Sequence, residues 1–319
     1  MNKQNNRRLA VIVPCLNEQN MLHTTNNELL ILLYSLIDNN LINSDSYICY
    51  VDDGSTDETW GIIKQLCSEN ENVRGVKLSK NFGHQNALLA GLSRVNNKCD
   101  FVITVDADLQ QDINVIPEMI EKHYSGSEII FGIRNNRIGD SLLKKVTGIL
   151  FNKIMNGLGS SLLKNHADFR LMGEKALKAL LEHSENNIFI RGLVSDIGFQ
   201  TSIVKFDQQE RKFCKTKYTF YKMIRFAYDG IFSLTIIPLR FLFFVGILST
   251  SISIVYVFYI LYVKYIIDQA VPGWASIVLP IWVFSSIQLV TLGIIGEYLS
   301  KIFMDVKKRP RFIIENEIN

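Results

Sequence analysis

Three short apolar runs, each ending in an acidic loop, constrain the fold of this chain more than any other feature. They span residues 9–13, 47–51 and 101–105, and stretches with Leu and Ile at helical spacing separate them. Strands that alternate with helices indicate a mostly parallel sheet. The carboxyl ends of parallel strands meet at one edge, where α/β proteins bind ligands. We therefore expect an α/β fold whose three acidic loops converge on one crevice.

An Asp-x-Asp turn directly follows the third run. Asp106 and Asp108 flank Ala107, and Gln110 adds an amide oxygen. Mg²⁺ and Mn²⁺ prefer oxygen ligands and commonly keep one or two protein carboxylates, while water and substrate phosphate complete the shell. Acidic turns after strands are also common as solvated loops, so the motif alone leaves that alternative open. We interpret the turn as a site for Mg²⁺ or Mn²⁺ that carries phosphate, with Asp108 as the preferred direct ligand.

Two long uncharged stretches lie in the C-terminal third of the chain. Residues 241–263 and 274–296 each contain no Asp, Glu, Lys or Arg, and each would span about 34 Å as a helix. A pair of buried core helices is the alternative, but the short connection between the stretches favours a transmembrane hairpin. Basic residues precede the first stretch and follow the second, so the positive-inside rule places the N-terminal domain and both termini in the cytoplasm.

Four regions are expected along the chain. Residues 1–215 would form the cytoplasmic α/β domain, and residues 216–235 a basic amphipathic helix at the membrane interface. Residues 236–304 would form the two-helix hairpin, and residues 305–319 a basic cytoplasmic tail. The protein is thus expected to be a multi-pass protein of the cytoplasmic membrane.

Composition excludes several classes of protein. The five cysteines show no CxxC spacing. This pattern is consistent with a reduced compartment, and we expect neither a zinc site nor a disulfide framework. The net charge of +3 is modest, and the basic residues cluster beside the uncharged stretches, so we expect the lipid bilayer and no nucleic acid as a partner. No apolar signal region follows the polar N-terminus.

The three acidic loops, residues 14–18, 52–57 and 106–110, resemble the signature of inverting family 2 glycosyltransferases of the GT-A fold. Four further segments, residues 78–85, 168–172, 191–194 and 215–218, are similar to polyprenyl-phosphate glycosyltransferases. The chain most resembles the bactoprenol glucosyltransferase type, which is related to dolichyl-phosphate mannose synthase. The resemblance implies a Rossmann-like GT-A domain, mostly parallel, followed by an amphipathic juxtamembrane helix and two transmembrane helices.

The same resemblance implies a reaction and roles for residues. The reaction would be inverting, metal-dependent transfer of one sugar, from UDP-glucose or another UDP-hexose, to undecaprenyl phosphate, for modification of a cell-envelope glycan. Asp168 and Asp108 would be catalytic, with Asp168 either the general base or a residue that orients Arg170. The nucleotide sugar would contact Pro14, Leu16, Asn17, Glu18, Asp52, Asp106, Gln110 and Arg134, and the phosphates would contact Arg170, Arg191, Arg211 and Lys217.

Several alternatives stay open. Arg137 is a second candidate for the diphosphate or a surface residue, and His84, at an expected helix start, is interpreted as structural. The donor could instead be GDP-mannose or UDP-N-acetylglucosamine, and a noncatalytic nucleotide-sugar or lipid-phosphate binding partner of a flippase or polymerase is the rival class. A processive polysaccharide synthase is disfavoured because the chain has no Gln-x-x-Arg-Trp motif. Gly293 and Gly296 would permit close helix contact in a homo-oligomer.

Overall fold

The computed structural model describes residues 7–135, 166–183, 190–207, 237–262 and 273–319. The chain forms two compact units: Met1–Ile224 with Pro310–Asn319, and Arg225–Arg309. The expected interfacial segment, residues 216–235, lies outside the described residues, as do Arg137, Arg211 and Lys217.

The described part of the first unit contains a mixed sheet of eight strands. They are β1 (Leu9–Cys15), β2 (Tyr47–Asp52), β3 (Val73–Leu78), β4 (Phe101–Thr104), β5 (Ile129–Arg134), β6 (His166–Gly173), β7 (Thr201–Phe206) and β8 (Ile314–Ile318). The spatial order is β7-β5-β6-β4-β1-β2-β3-β8. Only β6 and β8 run antiparallel to their neighbours among these strands. The expected mostly parallel α/β sheet is therefore confirmed.

Six helices of the first unit are described. They are α1 (Leu22–Asp38), α2 (Thr59–Glu69), α3 (His84–Val95), α4 (Ile116–Tyr124), α5 (Glu174–Glu182) and α6 (Ile190–Asp196). A 3₁₀ turn, Ile113–Val115, precedes α4. Buried side chains of α1, α2 and α4 share one hydrophobic cluster, and those of α3, α5 and α6 share another. The sheet therefore separates two helical layers.

Alternation along β6 decides which layer the polar residues of that strand face. Phe169 and Leu171 lie in the cluster of α1, α2 and α4, whereas Met172 lies in the cluster of α3, α5 and α6. Successive strand residues point to opposite faces. Asp168 and Arg170 therefore lie on the face of the sheet that α3 and α6 cover.

The C-terminal segment contributes a strand that the sequence interpretation did not include. Residues 305–319 were expected to form only a basic tail, but Ile314–Ile318 is β8 and pairs antiparallel with β3. Just before it, the carbonyl oxygen of Ile313 accepts a hydrogen bond of 2.9 Å from the Ser79 N–H. The end of the chain thus belongs to the α/β unit.

The second unit contains two long apolar helices, α7 (Ile237–Tyr262) and α8 (Trp274–Val306). The helix α7 overlaps the first uncharged stretch, and α8 covers the second and continues past Glu297 to Val306. Many of their large apolar side chains are exposed, including Phe244, Val255 and Leu289. By length and composition, one segment among the described residues is able to cross a membrane, Ile287–Val306.

Candidate active site

The loops after β1 and β2 are bound to each other at the carboxyl edge of the sheet. The Asn17 N–H donates to Ser55 Oγ over 3.0 Å, and Asn17 Oδ1 accepts from the Thr56 N–H over 2.9 Å. The Glu18 N–H donates to Thr59 Oγ1 over 2.9 Å. The expected convergence of these two loops is therefore present.

Asp52, the last residue of β2, is fully buried with one oxygen unsatisfied. Its Oδ1 accepts a hydrogen bond of 3.1 Å from the Ser55 N–H. Its Oδ2 is also buried and has no hydrogen-bond partner in the described structure. Burial raises the pKa of this carboxyl group against the opposing hydrogen bonds from Ser55. A buried acceptor without a partner is costly, so this oxygen is suited to receive a donor from a ligand.

The next residues fix the loop that leads into α3. The Asp53 carboxylate accepts the N–H groups of Phe82 and Gly83 at 2.7 and 2.9 Å. Gly54 has a φ of +68°, and a Cβ built there would lie 2.4 Å from the Lys80 carbonyl carbon. Only glycine permits this close approach of the two backbones.

The Asp-x-Asp turn leaves β4 at the same edge. Its first carboxylate is braced by Gln111, a buried residue that the sequence interpretation did not single out: Gln111 Nε2 donates to Asp106 Oδ2 over 2.6 Å, and Gln111 Oε1 accepts from the Asp106 N–H over 2.9 Å. Asp108 Oδ1 accepts the Gln110 N–H over 3.2 Å. Leu109, with a φ of +47°, gives the turn its tight shape.

The donor set of this turn fits a metal that takes much of its shell from water and substrate. The described residues contain no group of three or more His, Cys, Asp or Glu side chains that could hold a metal ion. Two carboxylates and the Gln110 amide oxygen remain, a set typical of Mg²⁺ or Mn²⁺ bound together with phosphate. Burial and the neighbouring charges of Asp168 and Asp108 raise the pKa of Asp106, while His84 opposes them. A bound cation would relieve this repulsion between carboxylates.

Asp168 lies at the centre of a cluster of cations. Arg191 Nε donates to its Oδ1 over 2.9 Å and Arg191 Nη2 to its Oδ2 over 2.6 Å. Arg170 Nη2 donates to Oδ1 over 2.5 Å. His84 Nε2 lies 3.7 Å from Asp168 Oδ2 and also 3.7 Å from Asp106 Oδ1. The imidazole thus lies between the Asp-x-Asp turn and the Asp168 cluster.

The cations decide the charge state of Asp168. Burial by itself would raise the pKa of this carboxyl group, but the charge and hydrogen bonds of Arg191, followed by Arg170, hold the pKa well below its ordinary range. Asp168 is therefore an ionised hydrogen-bond acceptor at neutral pH.

Arg170, which the motif implied as a phosphate ligand, contacts Asp168. Its side chain is 0% exposed, and its Nε and Nη1 have no hydrogen-bond partner in the described structure. Burial lowers the pKa of its guanidinium against the attraction of Asp168. One of its nitrogens therefore supports Asp168, while two buried donors stay unsatisfied. Arg191, in contrast, lies on α6 and its side chain is half-buried.

The remaining expected residues lie on or near this edge of the sheet. Pro14 is buried in β1, Leu16 and Glu18 are half-buried in the following loop, and Asn17 is exposed. Arg134 is half-buried as the last residue of β5. Strand register links β4 to β6, because Thr104 pairs with Arg170 and Thr104 Oγ1 donates to the Asp168 carbonyl oxygen over 2.5 Å.

The described unit is an α/β sheet with an Asp-x-Asp turn and an arginine-bound aspartate at one edge, and the family comparison specifies its class. Residues 10–197 match the model described as "Glycosyl transferase family 2". The chain belongs to this family and is a glycosyltransferase. The GT-A type of sheet that the motifs implied accords with the strand order and with this membership.

Relatives include proteins with the name that the motifs suggested. The glycosyltransferase YkoT of Bacillus subtilis (strain 168) is 42% identical, over 99% of this chain and 94% of its own length. A bactoprenol glucosyl transferase of Shigella phage SfV is 34% identical over 85% of this chain and 88% of its length. A prophage bactoprenol glucosyl transferase homolog of Escherichia coli (strain K12) is 31% identical over 97% and 98%. The resemblance to this type is therefore confirmed.

Solved structures are similar at a greater distance. Glucosyl-3-phosphoglycerate synthase from Mycobacterium tuberculosis, crystallised with Mn²⁺, UDP-glucose and phosphoglyceric acid, has a TM-score of 0.47 and 16% identity. The similarity covers 72% of this chain and 78% of that chain.

Proposed function

We propose that this enzyme transfers one sugar from a nucleotide sugar, UDP-glucose or another UDP-hexose, to a polyprenyl monophosphate, with undecaprenyl phosphate as the acceptor. The relatives named bactoprenol glucosyl transferase support the acceptor and the sugar. The observation that carries the proposal is the pairing of an Asp-x-Asp turn with an arginine-bound Asp168 across His84. The lipid-linked sugar would serve modification of a cell-envelope glycan.

The donor would lie against the loops after β1, β2 and β4. The unsatisfied Asp52 Oδ2 would accept a hydrogen bond from the base or ribose. Pro14, Leu16, Asn17 and Glu18 would form the wall beside it. Asp106, Asp108 and Gln110 would hold Mg²⁺ or Mn²⁺, which supplies Lewis-acid stabilisation of the departing nucleoside diphosphate. Arg134 would provide a guanidinium, which binds diphosphate oxygens in pairs.

The acceptor would need little help from a base. A phosphate monoester has a second pKa near ~6 and is largely dianionic at neutral pH. A carboxylate whose pKa is held low is a poor proton acceptor under the same conditions. We therefore assign Asp168 to the orientation of Arg191, which would present its guanidinium to phosphate. The transfer would be a single in-line displacement with inversion and without a covalent intermediate.

Arg170 would support this arrangement from inside the sheet. It holds Asp168 through Nη2, and its unsatisfied Nε and Nη1 keep phosphate binding as a second proposed role. Arg211 and Lys217 stay proposals for phosphate binding, because they lie outside the described residues.

The acceptor also requires a membrane. We propose that α7 and α8 form a hairpin in the cytoplasmic membrane, with the catalytic domain and both termini in the cytoplasm. Their length, their lack of charge over two 23-residue stretches and their exposed apolar side chains support this proposal. The 216–235 segment would lie at the interface, and a homo-oligomer would give the hairpin additional buried area.

The test is transfer by the purified enzyme in nanodiscs. The enzyme is incubated with undecaprenyl phosphate, Mn²⁺ and one radiolabelled donor at a time: UDP-glucose, UDP-N-acetylglucosamine or GDP-mannose. We expect label in the organic phase from UDP-glucose, and background label with EDTA or with Asp108→Ala. If none of the donors gives label in the organic phase, although the enzyme is folded and binds UDP, the lipid acceptor is rejected. The result would then favour a noncatalytic binding partner.

A further inference from the structure

His84 occupies a position that the roles assigned so far do not use. It is the first residue of α3, and its side chain is 42% exposed. Its Nε2 lies 3.7 Å from Asp106 Oδ1 and 3.7 Å from Asp168 Oδ2. It is thus a donor side chain that lies between the proposed metal-binding turn and the proposed acceptor-binding cluster.

The fold fixes this position from two sides. Asp53 binds the N–H groups of Phe82 and Gly83, so the backbone immediately before His84 is held at the sheet edge. On the other side, Gln85 Oε1 accepts a hydrogen bond of 3.2 Å from the Ile190 N–H. This bond joins the start of α3 to the start of α6, the helix that carries Arg191. The imidazole and the Arg191 guanidinium therefore reach Asp168 from adjoining helices.

The His84 ring keeps its hydrogen-bonding capacity in this arrangement. A distance of 3.7 Å between nitrogen and oxygen is too long for a hydrogen bond, and the described structure contains no hydrogen bond to this ring. His123 provides a contrast within the same protein, because its Nδ1 lies 2.8 Å from the Ser127 carbonyl oxygen and its ring is buried. A histidine that only stabilises the fold resembles His123, whereas His84 is half-exposed and faces two carboxylates.

We propose that His84 Nε2 donates a hydrogen bond to a phosphate oxygen of a substrate bound between Asp106 and Asp168. This proposal rests on the proposed function. Two carboxylates repel a phosphate group, so a donor between them would add to the attraction of Arg191 and of the metal ion proposed at the Asp-x-Asp turn. The phosphate could belong to the nucleotide donor or to the polyprenyl monophosphate, since both carry the same chemical group.

The experiment measures binding of each phosphate separately. Calorimetry in nanodiscs gives the Kd of UDP with Mn²⁺, and the Kd of a short-chain polyprenyl monophosphate, for the wild type, His84→Ala and His84→Gln. The Gln amide keeps a donor close to the position of Nε2, so we expect His84→Gln to bind within about threefold of the wild type. Loss of a hydrogen bond to a charged group in His84→Ala should weaken binding of one ligand by about tenfold or more.

His23→Ala is the matched control. His23 is exposed on α1, which packs on the opposite face of the sheet from α3, so both Kd values should stay at the wild-type level. A tenfold effect on UDP alone assigns the phosphate to the donor, and an effect on the lipid phosphate alone assigns it to the acceptor.

Two results would overturn the proposal: wild-type binding of both ligands by His84→Ala, or equal losses in His84→Ala and His84→Gln. Each variant is compared by its thermal unfolding midpoint, so that loss of fold is recognised. Because binding needs no turnover, the outcome for His84 is separate from that for the proposed function. A wild-type enzyme that binds both ligands and transfers no sugar would contradict the proposed function only.

Discussion

Arg191 binds both carboxylate oxygens of Asp168, with Nε 2.9 Å from Oδ1 and Nη2 2.6 Å from Oδ2. The two parallel hydrogen bonds fix the plane of the guanidinium relative to the carboxylate. Since Arg191 lies on α6 and Asp168 on β6, the pair also ties a surface helix to the central sheet. Asp168 therefore holds the side chains of Arg191 and Arg170 in place.

Asp168→Asn should destabilise the protein as well as inactivate it. The substitution leaves the fully buried Arg170 without its charge partner, and breaking such a pair costs about 3–5 kcal/mol in the free energy of unfolding. Denaturation of the purified protein measures the loss. The double variant Asp168→Asn/Arg170→Met should recover a large part of it, because the unpaired buried charge is then removed. Equal stability of the single and double variants would contradict the supporting role of Arg170.

The dependence of stability on pH follows from the lowered pKa of Asp168. Its pKa is below the ordinary value when the protein is folded, so its stabilising contribution is present above the unfolded pKa, near ~4. The contribution is lost as the pH falls through the folded pKa. Asp168 should stay ionised from about pH 5 to about pH 8. We therefore expect a plot of kcat against pH to show no change in this range that depends on Asp168. An acid limb in this range that Arg191→Ala shifts upward would contradict this account, because it would show Asp168 taking up a proton there.

Asp52→Asn should weaken nucleotide binding without weakening the fold. The change converts one carboxylate oxygen into an NH₂ donor of the same shape and leaves the other oxygen as an acceptor. If the NH₂ group replaces the unsatisfied Oδ2, the ligand's donor loses its acceptor and meets a second donor. We expect the Kd of UDP to rise about tenfold and the unfolding midpoint to stay the same or rise. Asp45→Asn is the control, since it removes an exposed carboxylate paired with Arg8. A Kd that is unchanged in Asp52→Asn would remove this residue from the nucleotide site.

Gly54→Ala should damage the site through the loop before α3. A Cβ at Gly54 would lie 2.4 Å from the Lys80 carbonyl carbon, and the φ of +68° adds backbone strain, so we expect a cost of about 2–4 kcal/mol. Gly126→Ala is the matched control, because it has a φ of +108° but no atom within 4 Å of the new Cβ. That variant should lose about 1 kcal/mol and keep its activity. Chemical denaturation with a parallel transfer assay compares them, and equal losses would show that the contact with Lys80 is unimportant.

Deletion of residues 314–319 should loosen the edge of the sheet beside the same loop. The deletion exposes the backbone of β3, to which β8 is paired, and removes the apolar contact of Ile314. A fall of several degrees in the unfolding midpoint is expected, as for a loss of about 1–3 kcal/mol. Glu317→Gln should have no measurable effect, because it removes only a partly exposed ion pair with Arg94. A deletion variant with the wild-type midpoint would show that β8 adds no stability.

The sequence predicted the edge of the sheet where the site lies, because strand periodicity and acidic loops are local signals. Residues 9–13, 47–51 and 101–105 form β1, β2 and β4 nearly at the expected positions, and the hydrogen bond from the Asn17 N–H to Ser55 Oγ follows from the convergence of the loops. Membership in glycosyltransferase family 2 could likewise be predicted, since it depends on short motifs that are continuous in the chain.

The depth of a side chain could not be predicted in the same way. Asp168 and Arg170 are two residues apart, which places them on one face of a strand, but burial of Arg170 depends on the helices that cover that face. The sequence did not predict β6 as a central strand, because it contains charged residues and buried strands are usually apolar. His84 and Asp106 meet only through the packing of α3 against the sheet, and no local pattern indicates that approach.

The strand β8 was missed for a different reason. Its sequence, Ile-Glu-Asn-Glu-Ile, is too polar to read as part of a sheet core. An edge strand needs only partial burial, and its partner β3 lies more than 200 residues earlier. Ile314 and Ile318 at its two ends were the available signal.

Mass spectrometry of the lipid fraction tests the central claim most directly. The wild-type enzyme in nanodiscs is given unlabelled UDP-glucose, Mn²⁺ and undecaprenyl phosphate, and the lipid products are compared with those of Asp108→Ala and Asp168→Asn. We predict undecaprenyl phosphate carrying one hexose with the wild type, and unchanged undecaprenyl phosphate with both variants. Unmodified lipid together with free glucose or intact UDP-glucose, from a wild-type enzyme that binds UDP, would contradict the account.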